Sequence, residues 1–216
     1  MTDERSLTLF HCPQTRSSTT RIILDELGAP YKLHVMNLKA GEHREPGYLK
    51  INPLGKVPAI KHGETIITEQ IAIAIYLGDL FPQAGLAPAI SDTDRGRYLR
   101  WMLFYAACFE PALVDKAQSR DPGPETMSVY GTYDQMLDVV EMALSHGPYL
   151  LGDRFSIADI QWASAFHWTM MFGLLPERPA FVSYRDRIIA RPSFQHAFTE
   201  DQSLAEAHQA ALNAKE

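Results

Sequence analysis

Pro58 stands at the head of a strand, in Gly55-Lys56-Val57-Pro58-Ala59-Ile60, and leaves the chain few folds to choose from. A proline has no N–H to give to a ladder, so a sheet tolerates it only at an edge, a bulge or a strand's first residue. In the cis form it would turn the N–H and C=O of Val57 outward. There they could pair with an extended peptide as an added strand would. In the trans form it is an ordinary edge proline. Cis accounts for only ~5% of X–Pro bonds, so this segment by itself leaves both forms open.

The elements around it fix the setting. Leu7 to His11 reads as a short strand, and Cys12 to Ser17, broken by Pro13, as a turn. Ser18 or Thr19 can cap a helix that runs through Ile22, Ile23 and Leu27 and stops at Gly28 and Pro30. Tyr31 to Met36 alternates as a second strand, and Gly41 to Pro53 holds at most a short helix. Val57–Lys61 and Thr65–Thr68 flank the turn His62-Gly63-Glu64 as a hairpin, and Glu69 opens an apolar helix ended by Pro82. The order is β-α-β-α-β-β-α. A helical connection makes the first two strands parallel, with a right-handed crossover. The hairpin makes the last two antiparallel, so the expected sheet is mixed and four-stranded, with helices on its faces.

After Pro82 the texture changes to a Pro-, Ala- and Gly-rich linker reaching Asp92. Beyond it, apolar residues fall at helical spacing, as in Leu99, Met102, Leu103 and Ala106, and again in Met136, Val140, Ala143 and Leu144. The expected fold class is α/β plus all-α, with one domain over residues 1–82 and an all-helical one over 91–216. The Ala-rich tail from Ser203 onward reads as a frayed or unordered helix.

Composition narrows the function. The 216 residues carry a net charge of -6 with Lys and Arg scattered, which excludes nucleic acid and a membrane surface as expected partners. The two cysteines, Cys12 and Cys108, make neither a disulfide framework nor a metal-binding pair. The polar start and the lack of a long apolar run point to the cytoplasm.

Three segments can carry chemistry or folding information. Thr68-Glu69-Gln70 precedes a helix whose N-terminus suits a carboxylate, while Glu69 could take an ammonium; the same residues also make a plain cap. In Cys12-Pro13-Gln14-Thr15-Arg16-Ser17-Ser18, a thiolate near the helix start would be stabilised by the dipole and by Thr15, Ser17 or Ser18; the hydroxyls equally suit a turn and a cap. Ser156-Ile157-Ala158-Asp159 is a capping box and reads as a folding signal.

In this order the segments Gly41-Glu42-His43-Arg44-Glu45-Pro46, Asn52 to Ile60, Thr68-Glu69-Gln70 and Ser156 to Asp159 resemble the cytosolic glutathione transferases over nearly the whole chain. Gly41 to Ile60 is most similar to phi-class and related bacterial enzymes. The resemblance implies a thioredoxin-like first domain with Pro58 cis and Val57 pairing with the cysteinyl part of glutathione, the co-substrate. It implies Glu69 and Gln70 at the γ-glutamyl end, and His43, Arg44 and Lys56 by the glycine carboxylate. The family usually has Ser where Gln70 stands, and no Tyr occupies the usual place in the first loop.

The expected donor to the sulfur is Ser17, assisted by Arg16, with Cys12 the second candidate. The activity implied is conjugation of glutathione to a small hydrophobic electrophile, by a homodimer without a metal. The electrophile's pocket would draw on Tyr105, Phe109, Trp168 and Phe172, residues that equally suit a core. Disulfide reduction through Cys12, dehalogenation or isomerisation, and a non-catalytic binding module stand as alternatives.

Overall fold

In a computed structural model, residues 6–214 are described. By its contacts the chain forms two compact units, residues up to 84 together with those from 192 on, and residues 85–191.

The first unit is built on a four-stranded sheet of order β2-β1-β3-β4, with β1 at Leu7–His11, β2 at Tyr31–Val35, β3 at Ala59–His62 and β4 at Thr65–Ile67. β1 runs parallel to β2 and antiparallel to β3, and β3 runs antiparallel to β4. Three helices and a short one complete it: α1 (Arg16–Glu26), α2 (Pro46–Leu49), α3 (Gln70–Leu80) and the last helix of the chain, Pro192–Asn213. This is the thioredoxin-like arrangement. Leu7 and Leu9 of β1, Ile22 and Ile23 of α1, Ile60 of β3 and Ile73 and Leu77 of α3 form its apolar core.

Two details of α1 differ from the sequence expectation. It starts earlier, with Thr15 as the cap whose hydroxyl accepts from the Ser17 N–H. Its first two turns also bury Ser17, Ser18, Thr19, Thr20 and Arg21, five consecutive polar residues that wrap all sides of the helix. The last helix packs on α1 and there meets Ser18 and Arg21. The sequence assigns that helix to a second domain of 91–216; its contacts put it in the first unit. Helical periodicity reports that a face is buried, not against what. The expected fraying from Ser203 is not seen up to Asn213, and Lys215 and Glu216 lie outside the described residues.

The second unit is helical: α4 (Arg95–Phe104), α5 (Glu110–Ala117), α6 (Tyr133–Leu144), α7 (Ile157–Met171) and α8 (Pro179–Ile189), which leaves the last helix as α9. Tyr105–Phe109 is wound as a π-helical turn between α4 and α5. Among its described residues the only extended pairings are single bridges in the turn at 149–154. Trp162 of α7 fills the centre, its ring 4.8 Å from that of Phe109 and 5.6 Å from that of Trp101. Asp159, fully buried at the start of α7, accepts from the N–H groups of Leu150 and Ser156 at 2.8 Å each, from Ser156 Oγ at 3.0 Å and from the Tyr184 hydroxyl at 2.9 Å. Burial pushes its carboxyl up to about 6, against the pull of those donors. No helix of the described residues is long and apolar enough to cross a membrane.

Candidate functional site

The ends of three strands converge. β1 and β3 pair Phe10 with Ala59, and β3 and β4 pair Ile60 with Ile67. Each ladder therefore runs out at the same end of the sheet, and there the chain continues as Cys12, Val57–Pro58 and Thr68–Glu69. The Val57–Pro58 bond is cis. Among the described residues the N–H and C=O of Val57 find no hydrogen-bond partner. The segment leading to them is fixed from behind, where the Lys56 carbonyl accepts from the Tyr48 hydroxyl at 2.6 Å and from Asn52 Nδ2 at 2.9 Å.

Gly55 is required beside them. It has φ +61°, and a Cβ there would stand 2.8 Å from the carbonyl oxygen of His43. That close approach brings the turn carrying His43 and Arg44 against the Val57 segment. His43 Nδ1 is buried with no hydrogen-bond partner. Arg44 and Lys56 are exposed, and Arg44 Nη1 donates to the Leu54 carbonyl at 3.4 Å.

Glu69 is the cap of α3. It has φ +66° and ψ 110°, a conformation sparsely populated by residues with a Cβ and concentrated at functional sites. Its carboxylate makes no capping bond to its own helix and is exposed. The free N–H groups and positive end of α3 begin beside it. Gln70 Nε2 donates to the Arg16 carbonyl at 3.2 Å, while Gln70 Oε1 is buried without a partner.

The loop Cys12–Ser17 departs most from expectation. Ser17, expected to donate to a ligand, is 0% exposed. Its Oγ accepts from the Cys12 N–H at 3.0 Å and has three acceptors for its one proton: the Cys12 carbonyl at 3.0 Å, His11 Nδ1 at 2.9 Å and Thr15 Oγ1 at 2.8 Å. A hydroxyl so enclosed holds the loop together from within. Cys12 is 7% exposed. Burial pushes its thiol above the ordinary cysteine range, against the pull of a backbone hydrogen bond from Leu38. Thr15, half-buried, and Arg16, exposed, lie on the outer side of the loop at the mouth of α1.

Residues 5–79 match the family model described as "Glutathione S-transferase, N-terminal domain", and residues 104–192 the corresponding C-terminal domain. The chain is 30% identical, over 79% of its length and 84% of the relative's, to the glutathione S-transferase-like protein gedE of Aspergillus terreus. It belongs to the glutathione S-transferase family.

Within that family it is 28% identical to the disulfide-bond oxidoreductase YfcG of Escherichia coli, over 90% of this chain and 95% of that one. Among solved structures it resembles a sphingomonad glutathione S-transferase complexed with glutathione, at TM-score 0.75 and 29% identity, covering 90% of this chain and 98% of that one. A glutathione S-transferase has two reactants to accommodate. Of the aromatic residues expected to meet the second one, Tyr105 and Phe109 are spent in the core of the helical unit, while Trp168 is half-buried and Phe172 is 70% exposed. No group of three or more His, Cys, Asp or Glu side chains among the described residues could hold a metal ion.

Proposed function

We propose that the protein binds glutathione along Val57 and transfers its thiolate to small hydrophobic electrophiles. The observation that carries this reading is the open backbone pair of Val57 beside the strained cap Glu69, at one end of one sheet. Val57 pairs with the cysteinyl unit. Glu69 takes the γ-glutamyl ammonium, and Gln70 with the N-terminus of α3 takes the γ-glutamyl carboxylate, so both charges of that group are answered. His43, Arg44 and Lys56 meet the glycine carboxylate.

The sulfur then comes to the outer side of the first loop, where Thr15 donates to it and Arg16 lends charge. Two hydroxyls, of Thr15 at 2.8 Å and Ser17 at 3.0 Å, reach the Cys12 carbonyl. Thr15 can therefore turn its proton from that carbonyl to the thiolate. Such a donor lowers the thiol pKa. The thiolate forms a bond to the electrophilic carbon, and the leaving group departs with its electron pair. The protein works as a cytoplasmic homodimer, and detoxification is the role that fits.

Disulfide reduction through Cys12 is disfavoured by that residue's setting. A nucleophilic thiolate needs a lowered pKa, and burial here raises it.

Calorimetric titration with glutathione tests the reading. The wild type is expected to bind, and Glu69→Ala to lose about tenfold or more in affinity, the worth of a charge-assisted hydrogen bond. Equal affinity in both proteins would remove Glu69 from the site.

A further inference from the structure

Gln14, at the apex of the first loop, has φ +58°. A residue with a side chain keeps that conformation only where its neighbours enforce it. The enforcing group comes from the far end of the chain. Asp201 of α9 is 3% exposed. Its Oδ2 accepts the Gln14 N–H at 2.9 Å and also the Ser18 hydroxyl. Its Oδ1 meets His11 Nε2 at 3.0 Å, with Arg21 Nη1 3.7 Å away. His11, itself 0% exposed, reaches Ser17 Oγ through its other ring nitrogen at 2.9 Å. One buried carboxylate thus ties down the end of β1, the apex of the loop and the first turn of α1. Its charged surroundings are His11 from β1, Cys12 from the loop, Arg21 from α1 and, on its own helix, Glu200, which is paired with Arg21.

α9 lies almost wholly beyond residue 192, where the match to the C-terminal family domain ends. We infer that Asp201 is a positioning residue for the thiol-activating loop: it holds Gln14 in its left-handed conformation and His11 against Ser17, and so sets where Thr15 and Arg16 meet the glutathione sulfur. This rests on the reading of the site under Proposed function. Asp201 touches no reacting atom on that reading and acts only through the loop.

The test uses the full-length protein and the variants Asp201→Asn, Gln14→Gly and the two combined. For Asp201→Asn, conjugation kcat is expected to fall about tenfold to a hundredfold, the scale of a small misplacement at a reacting centre. The apparent pKa of the rate profile is expected to move upward. Glutathione affinity should change less than twofold, because Glu69 and Val57 are untouched. Amide hydrogen exchange over residues 12–18 should speed up.

Glycine adopts positive φ without enforcement. Gln14→Gly should therefore restore much of the kcat and the pH profile in the double variant, and this also serves if Asp201→Asn alone is too unstable to assay. An unshifted pH profile in Asp201→Asn, with kcat falling only as folded protein is lost, would overturn the inference. So would unchanged exchange over residues 12–18, a readout that does not depend on activity. A wild type that neither binds nor conjugates glutathione would overturn the functional reading, and with it the part of the inference that concerns the sulfur.

Discussion

Gln70 reaches from the first turn of α3 to the carbonyl of Arg16, the first residue of α1, with its Nε2 3.2 Å away. The two helix starts that the proposed site uses are laced together by a side chain that is itself part of the site. An amide suits the position, because Nε2 carries two protons. One serves Arg16, and the other remains for a ligand carboxylate.

Gln70→Glu is therefore expected to be worse than Gln70→Ala. The acid loses both donors and sets a negative charge against the γ-glutamyl carboxylate and the Arg16 carbonyl. Glutathione affinity should fall by about tenfold in the alanine variant, one charge-assisted hydrogen bond, and further in the glutamate variant. Calorimetry reads both, and a glutamate variant that binds as well as wild type would separate Gln70 from the carboxylate.

Ser17 and Thr15 are expected to fail differently. Ser17→Ala strands the buried Cys12 N–H, at a cost of about 1–3 kcal/mol for an unsatisfied donor, and should appear chiefly as lost thermal stability. Thr15→Ala removes a cap worth about 1 kcal/mol. It should also raise the apparent pKa of conjugation by about one to two units, with Thr15→Ser restoring it. A pKa shift in Ser17→Ala alone would return the donor role to Ser17.

Much of the fold is readable from local pattern. Leu7 to His11 reads as a short strand and forms β1 residue for residue, and Gly28 ends α1 because it can take φ +62°. β3 begins later than its apolar run, at Ala59, since Pro58 cannot join the ladder. The first loop is not readable in this way. Thr15, Ser17, Ser18 and Thr19 all look like caps, and what selects Thr15 and buries Ser17 is His11 backed by Asp201, 184 residues beyond Ser17 by the numbering. Asp201, beside Glu200 just before the Ala-rich tail, carries no motif. The available signal is indirect: the polar run Ser17–Arg21 wraps a helix that must pack on the sheet, so some of these side chains are buried and require polar partners.

Two buried carboxylates should move stability in opposite directions with pH. Asp201 lies below the ordinary range: burial would raise it, but hydrogen bonds from His11 and Ser18 outweigh that effect. Its contribution is full above the unfolded value of about 3.9 and is lost as pH falls through the folded value. Asp159, raised to about 6, binds a proton in the folded state that the unfolded chain has released. Stability from this group therefore falls as pH rises from about 4 to about 6. The deficit of Asp159→Asn relative to wild type should be larger at pH ~4.5 than at pH ~7. Melting curves at the two pH values check this, and a larger deficit at the higher pH would reverse the assignment.

The proposed homodimer is expected to sediment as a species of twice the 24.3 kDa chain mass. A single species at the chain mass, at assay concentration, would exclude it.

Conjugation of glutathione to an activated aryl halide, run beside reduction of a glutathione mixed disulfide, for wild type and Cys12→Ala, bears on the function most directly. Thiolate transfer by bound glutathione requires the wild type to form the aryl thioether and Cys12→Ala to keep most of that rate. A wild type that only reduces the disulfide, with the activity abolished in Cys12→Ala, would contradict it.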